Sequence, residues 1–298
     1  AMFSGIDLWV RRFPGGLLHT NIASSALFAA TSGSSVATAA TISTVAIPQM
    51  EPGGYKAPLF LGSIAAGGTL GILIPPSINL IIYGVLSETS ISRLYLAALI
   101  PGLLLALLFM GMVAILFIVT PRFGGEKRPA ASWDEKLRKL SGTVPPLLLF
   151  VLMVGSIYAG IATPTEAAAL GVMGAMVLAT ARGAMSWELM LTVFERTMRT
   201  TCMVMLIVAA AVLLNFVLVS IGLTSQITTY VSSLDVSPLT ILLLIIVVYL
   251  ILGCFMETLS LMIATTPIVV PIIVALGYDP LWFGVLFMIL VEAALITP

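Results

Sequence analysis

The sequence predicts an all-α polytopic membrane protein made of two inverted repeats, each holding a re-entrant helical hairpin and a broken helix. Three observations carry this. Hydrophobic residues make up 60% of the 298 and charged residues only 9%, against about 25% charged in a soluble domain. Too few charges exist to clothe a water-facing surface. The chain also repeats itself at a spacing of 223: Pro48, Gly54, Tyr55, Phe60 and Pro75 recur as Pro271, Gly277, Tyr278, Phe283 and Pro298 (271 − 48 = 223). Each copy runs through a Gly-Tyr turn into an apolar segment broken by proline. Paired, interrupted hydrophobic segments in corresponding halves are the sequence mark of a carrier's binding site.

Composition excludes several classes. The formal net charge is zero, so there is no basic field for nucleic acid and no acidic tail for a cationic partner. Cys202 and Cys254 lie far apart in apolar runs, which predicts small core residues rather than a disulfide or metal framework. No GxSxG, HExxH, Walker or GxGxxG pattern stands in a fitting context, so uphill transport would draw on an ion gradient or on a separate subunit. The chain opens Ala-Met-Phe-Ser and stops at Thr297-Pro298 inside a motif. Both ends are expected to be cuts in a longer polypeptide.

The first repeat is expected over 1–120, with a hairpin at 20–50, a broken helix at 58–86 and a crossing at 95–119. Residues 121–143 form a basic loop carrying Arg122, Lys127, Arg128, Lys136, Arg138 and Lys139. The excess of positive charge places it in the cytoplasm. The second repeat takes 144–298, with crossings at 144–161, 164–181 and 200–221, a hairpin at 238–276 and an incomplete broken helix from 281. Runs of about 18–20 apolar residues suffice for a crossing. Arg182, Arg196 and Arg199 return to the inner side two crossings after the loop, and Gly160 and 222–234 fall outside.

Read backwards, segment 58–86 rises from a cytoplasmic start near Lys56, and Arg11 and Arg12 are cytoplasmic as well. Stretch 20–50 therefore starts and finishes on one side although it is apolar enough to enter the membrane. A re-entrant hairpin satisfies both facts, its non-helical tip being tolerable where protein or water surrounds it. An odd number of crossings then turns the second copy upside down. Trp187–Arg199 is expected as a separate amphipathic helix on the inner surface. His19 is expected at the interface, and Gly15-Gly16 and Trp133 receive no role.

Two clusters carry chemistry. Thr31-Ser32-Gly33-Ser34-Ser35 gathers four hydroxyls around a glycine inside the first hairpin, and Gly71-Ile72-Leu73-Ile74-Pro75-Pro76-Ser77 breaks the helix that follows. Each proline removes an N–H donor and frees a carbonyl upstream. Hydroxyls with freed carbonyls make an oxygen cage suited to a hard cation such as sodium. The competing reading is that serine and threonine mediate close helix packing. The second copy has Gly253-Cys254-Phe255-Met256-Glu257-Thr258 in place of the serine run. Glu257 and Glu292 both sit in apolar stretches. A charge at the bilayer centre costs roughly 2.5–3.5 kcal/mol, so such carboxylates face a cavity or a partner. Each could bind a cation, carry a proton, or accept backbone N–H groups. Thr163-Pro164-Thr165-Glu166 reads as a capping box.

At these residues the chain resembles the large membrane (M) subunit of TRAP (tripartite ATP-independent periplasmic) transporters, of the DctM and SiaM kind. The matching stretches are SGSSVATAATIS (32–43), GYKAPLFLGSIAAGGTLGILIPPS (54–77), IPG (100–102), TPTEAAA (163–169) and GCFMETLSLMIATTPIVVPIIVALGYDPLWFGV (253–285). The resemblance implies an elevator-type transport core of the ion-transporter superfamily, in a multi-pass protein of the bacterial inner membrane among membrane lipids. It implies a first sodium site on Ser32, Gly33, Ser34, Ser35 and the Gly71–Pro76 break, with Ile74, Pro75 and Ser77. It implies a second site on Met256, Glu257, Thr258 and the Thr297-Pro298 break, incomplete in this chain. Sodium ions are then the only cofactor. A small membrane (Q) subunit and a periplasmic substrate-binding (P) protein are the partners, and the cargo is an organic acid such as a C4-dicarboxylate, a sialic acid or a sugar acid.

The function expected is therefore sodium-coupled uptake of an organic acid delivered by a binding protein. The alternatives are an ion-coupled organic-anion carrier that works without a binding protein, and a non-transporting membrane scaffold or channel subunit. A channel would line continuous helices with polar residues, whereas polarity here clusters at two interruptions. An intramembrane enzyme using Glu257 and Glu292 lacks a nucleophile–base pair or metal-ligand set.

Overall fold

Proline, glycine and capping side chains cut the apolar sequence into helices at definite places. Among the described residues (2–120, 131–233 and 236–297) of the computed structural model there are fourteen α-helices and no strand. They are α1 Met2–Val10, α2 Leu17–Ser32, α3 Ser35–Ala46, α4 Ala57–Leu73, α5 Ile78–Leu86, α6 Ile91–Val119 and α7 Trp133–Leu140. There follow α8 Val144–Tyr158, α9 Pro164–Ala181, α10 Trp187–Ser220, α11 Leu223–Ser233, α12 Pro238–Gly253, α13 Thr258–Ala275 and α14 Pro280–Ile296. Four of them, α6, α9, α10 and α13, are long and apolar enough to cross a membrane singly. The protein is an all-helical, multi-pass membrane protein.

The chain forms two compact units, residues 1–78 with 95–171, and residues 79–94 with 172–298. In the first, α2 ends because Gly33 takes a left-handed φ of 63° and returns its N–H to the Ala29 carbonyl, a conformation that costs a residue with a side chain about 1–2 kcal/mol. Ser34 then starts α3 by accepting the Ala37 N–H, the usual work of a capping serine. α4 carries Pro58 in its first turn and ends at Leu73. Pro75 and Pro76 have no N–H to offer the Gly71 and Ile72 carbonyls, so the helix cannot continue.

α2 runs beside α4 in the same direction. Asn21 Nδ2 donates to Ser63 Oγ at 2.9 Å, and one turn on Ser25 Oγ lies where a Cβ on Gly67 would be 2.7 Å away. Lipid tails are as apolar as leucine, so small residues that let backbones close up hold such helices together. Gly68 receives Ala39 of α3 on its other side, a Cβ there coming 2.8 Å from the Ala39 methyl. Above this seam Ile22, Ala29, Ala30, Leu70, Ile74 and Ala106 form a buried cluster. Outward, α6 exposes Ile100, Leu104, Leu107, Met112, Ile115 and Ile118, an apolar face for hydrocarbon.

The second unit is built around α12, α13 and α14. Each starts on a side-chain cap: Ser237 accepts from Thr240 N, Glu257 from Leu259 N and Ser260 N, and Asp279 from Leu281 N. Tyr83 of α5 donates to the Pro280 carbonyl at 2.7 Å, its ring lying against the Gly284 backbone. Tyr249 packs edge-on to Phe287 with centroids 4.7 Å apart and donates to Thr265 Oγ1 at 2.8 Å.

Several expectations are corrected. Trp187–Arg199 is no separate surface helix: α10 continues unbroken for 34 residues from its Ser186 cap, because no glycine or proline lies within it to interrupt the ladder. His19 is buried at 2% exposure, its Nε2 2.7 Å from the Pro14 carbonyl, so it is part of the α2 core rather than interfacial. Cys202 and Cys254 are exposed, not core. The Thr163–Glu166 capping box forms, Glu166 Oε2 accepting the Thr163 N–H at 2.8 Å and Thr163 Oγ1 accepting the Glu166 N–H at 3.4 Å. Arg122, Lys127, Arg128 and Pro298 lie outside the described residues.

Candidate functional site

In the first unit the α2–α3 turn is lodged against the end of α4. Gly71 is the contact point. A Cβ on it would stand 2.7 Å from the Ser34 carbonyl carbon, 2.8 Å from the Ser34 oxygen and 2.8 Å from Ser35 N, so only a glycine lets the two backbones meet. Gly33 makes the reciprocal contact, its Cα facing the Pro76 carbonyl, while the Ile78 N–H donates to the Gly33 carbonyl at 3.3 Å. Ser32, Gly33, Ser34 and Ser35 are thereby brought together with Gly71, Pro76 and Ser77.

The oxygens at this junction are arranged by local rules. Ser32 Oγ pairs with Thr38 Oγ1 at 2.9 Å, and Thr38 Oγ1 donates to the Ser34 carbonyl at 2.7 Å. Ser77 Oγ donates to the Ile72 carbonyl at 2.5 Å, replacing the donor that Pro76 lacks. The Gly71 carbonyl has lost its i+4 donor to Pro75 and lies in the turn that faces Ser34. Ile74 contributes differently, since its side chain is 2% exposed and packed in the core, leaving only its backbone for any ligand. This donor set is oxygen-only and carries no formal charge, which fits a monovalent hard cation.

Helix boundaries and local conformations in the second unit follow those of the first. α4 begins at Ala57 and ends at Leu73; α14 begins at Pro280 and ends at Ile296, each 223 residues later. α3 begins at Ser35 and α13 at Thr258, again 223 apart. The capping residues Ser34 and Glu257 correspond, and so do the extended residues that follow α4 and α14, Ile74 (φ −75°, ψ 120°) and Thr297 (φ −81°, ψ 128°). The turn glycines Gly54 and Gly277 both have positive φ, 66° and 85°. Gly253 meets Ala294, the counterpart of Gly71, so closely that its own Cβ would overlap the Ala294 methyl.

Glu257 Oε2 accepts Leu259 N at 2.9 Å and Ser260 N at 3.1 Å. Of the three uses open to this carboxylate, orienting the turn through backbone N–H groups is the one the geometry contains. Thr258 is buried, Met256 half-buried, and Glu257 exposed. Thr297 Oγ1 donates to the Ala293 carbonyl at 2.8 Å, beside Ala294. Glu292 is 1% exposed inside α14.

Residues 5–298 match the DctM component of the tripartite ATP-independent periplasmic transporters. The chain belongs to the DctM family. A C4-dicarboxylate TRAP transporter large permease protein DctM of Pseudomonas aeruginosa is 38% identical over 285 residues, 95% of this chain and 66% of that protein. The sialic acid TRAP transporter large permease protein SiaM of Vibrio cholerae is 34% identical over 290 residues, covering 97% and 67%. An isethionate TRAP transporter permease protein DctMQ of Oleidesulfovibrio alaskensis is 32% identical over 302 residues, covering 98% and 46%. The chain thus spans about two thirds of the length of the first two of these DctM-family relatives.

Sequence reasoning missed the supports of the hairpin. Tyr55 Oη accepts the Leu17 N–H at 3.0 Å, beside Gly16, and so fastens the start of α2 to the turn before α4. Gly16, of the Gly15-Gly16 pair that carried no assignment, leaves room for the Tyr55 hydroxyl, while Gly15 faces Val113 and His19. The Asn21–Ser63 and Ser25–Gly67 contacts were also missed, though the spacing of Ser63, Gly67 and Gly71 by four was a visible signal for a close helix pair.

Proposed function

We propose that this DctM-family chain is the ion-binding part of a sodium-coupled carrier that takes up an organic acid. The observation that carries it is the glycine-mediated junction of a helical turn with a proline-ended helix, Ser34–Ser35 on Gly71, together with a second close backbone contact, Gly253 on Ala294, at the residue 223 positions after Gly71. The first junction gathers hydroxyls with carbonyls that Pro75 and Pro76 have deprived of donors, and the second unit sets the capping carboxylate of Glu257 at the start of α13. Sodium is a substrate here: Ser32, Ser34, Ser35 and the Gly71 carbonyl would hold one ion, and Met256, Glu257, Thr258 and Thr297 with Pro298 a second. Bound cations complete the polar lining, so an organic anion can enter a low-dielectric site without an uncompensated charge.

On this reading the two copies are inverted repeats, α2–α3 and α12–α13 are re-entrant hairpins, and both move with their broken helices in an elevator cycle. The protein sits in the bacterial inner membrane with a small Q-type subunit and receives its cargo from a periplasmic binding protein. The dicarboxylate and sialic acid named for two relatives support a carboxylate cargo. The test uses the full-length protein with both partners in proteoliposomes, with the cargo first chosen by thermal-shift screening of the binding protein. Uptake should fall at least about tenfold when choline replaces external sodium. Uptake that persists unchanged in choline rejects the coupling.

A further inference from the structure

α1 and α7 pack on each other in the first unit. A Cβ on Gly5 would lie 2.8 Å from the Lys139 carbonyl and 2.7 Å from Thr143 Oγ1, so α7 sits directly on the α1 backbone. Further along, Trp9 and Trp133 meet edge to face with centroids 6.0 Å apart. Lys136 Nζ lies over both rings, 5.3 Å from the Trp9 centroid and 5.0 Å from that of Trp133. The rings are nevertheless open: Trp133 is 68% exposed, Leu137 60%, Phe13 53% and Trp9 40%.

Cations are interleaved with this apolar surface. Arg11 and Arg12 follow Trp9, and Arg138 and Lys139 follow Lys136. Against these five stand Asp134 and Glu135, the latter already paired with Lys139 at 3.5 Å, while Asp7 is buried and accepts from Thr20 Oγ1. Arg11 Nε is buried with no acceptor among the described residues. A buried guanidinium N–H without a partner calls for an oxygen ligand.

We propose that α1 and α7 form a site for the headgroup of an anionic phospholipid at the membrane surface. Apolar rings and cations alternate within one helical turn, so the occupant has to offer hydrocarbon and anionic oxygen at the same depth. A phospholipid monolayer does this: Trp and Leu enter the headgroup–acyl boundary and the basic side chains meet phosphate. A zwitterionic lipid would satisfy the rings but neutralise its own phosphate. An acidic protein segment would satisfy the cations and leave Trp133 and Leu137 in water.

The test follows Trp9 and Trp133 in the full-length protein, with its other tryptophans replaced by phenylalanine, reconstituted in phosphatidylcholine vesicles. Brominated phosphatidylglycerol should half-quench the emission at about a tenfold lower mole fraction than brominated phosphatidylcholine, each cation near the surface contributing about fivefold. R11Q/R12Q/K136Q should abolish that preference, and inorganic phosphate should not compete. Equal quenching by the two lipids overturns the site, as does a preference that survives in the triple variant. Absence of lipid quenching, with the rings shielded from iodide only in the assembled complex, overturns it in favour of a protein partner. Should the phenylalanine background not assemble, native mass spectrometry of the parent against R11Q/R12Q/K136Q gives the same decision: phosphatidylglycerol retained by both or by neither refutes the proposal.

Discussion

Replacing Gly71 by alanine tests whether the Ser34–Gly71 junction is the ion site. The new Cβ would stand 2.7 Å from the Ser34 carbonyl carbon and 2.8 Å from the Ser34 oxygen and Ser35 nitrogen, where ordinary contact begins at 3.4 Å. The turn has to retreat by about 0.7 Å (3.4 − 2.7), and because all three neighbours are backbone no side chain can swing aside. Overpacking of this kind costs about 1–3 kcal/mol, and alanine's better helix propensity returns up to about 1 kcal/mol of it. Melting temperature alone is therefore a weak readout. Ligand atoms need to be held within about 0.5 Å, so the concentration of sodium that half-saturates uptake should rise more than about tenfold, or about 1.4 kcal/mol. Gly62→Ala is the control, on the same helix with nothing within 4 Å of its Cβ, and should leave sodium dependence unchanged. A Gly71→Ala protein with the parent's sodium dependence would show that ions do not bind at this junction, and so would an equal shift in Gly62→Ala.

The second junction should answer to a size swap: Gly253→Ala places a methyl on the Ala294 methyl and should destabilise by about 1–3 kcal/mol, while adding Ala294→Gly should restore most of the loss in thermal unfolding. No recovery in the double variant would separate Gly253 from Ala294. Tyr55→Phe strips the buried Leu17 N–H of its acceptor and should cost about 1–3 kcal/mol. The repeat-related Tyr278→Phe keeps its stacking on Trp282 and should be near neutral; equal losses would argue against the hydrogen bond. Glu257→Ala should speed hydrogen exchange at Leu259 and Ser260 and cost about 1 kcal/mol as a lost cap, whereas Glu257→Gln retains an acceptor and should stay close to the parent. If glutamine exchanges as fast as alanine at these amides, capping is not what this side chain does.

Much of the organisation was legible from residue chemistry alone. Pro75-Pro76 dictates the end of α4, Thr163 with Glu166 dictates the start of α9, and the 223-residue echo of Gly54-Tyr55 in Gly277-Tyr278 announces two related halves. These are local effects: a missing N–H, a capping oxygen or a glycine turn acts within a few residues of itself. The cysteines were misread because an apolar neighbourhood in sequence does not say which side of a helix meets protein, His19 because the arginines near it in sequence do not fix its burial, and Trp187–Arg199 because without glycine or proline it runs on into the rest of α10. Neither composition nor spacing distinguishes a lipid-facing cysteine from a packed one.

From the order of residues alone follow the membrane setting of the chain, the places where its helices end and the 223-residue correspondence between its two halves. Those properties follow from hydrocarbon solvation and from the backbone's own donors and acceptors, both readable one residue at a time. Packing in three dimensions was needed to bring Gly71 to Ser34, Asn21 to Ser63 and Tyr55 to the start of α2, and to rest Lys136 on Trp9 and Trp133. Such meetings depend on how closely two backbones can approach and in what register, and that is settled by the packing of all their neighbours together.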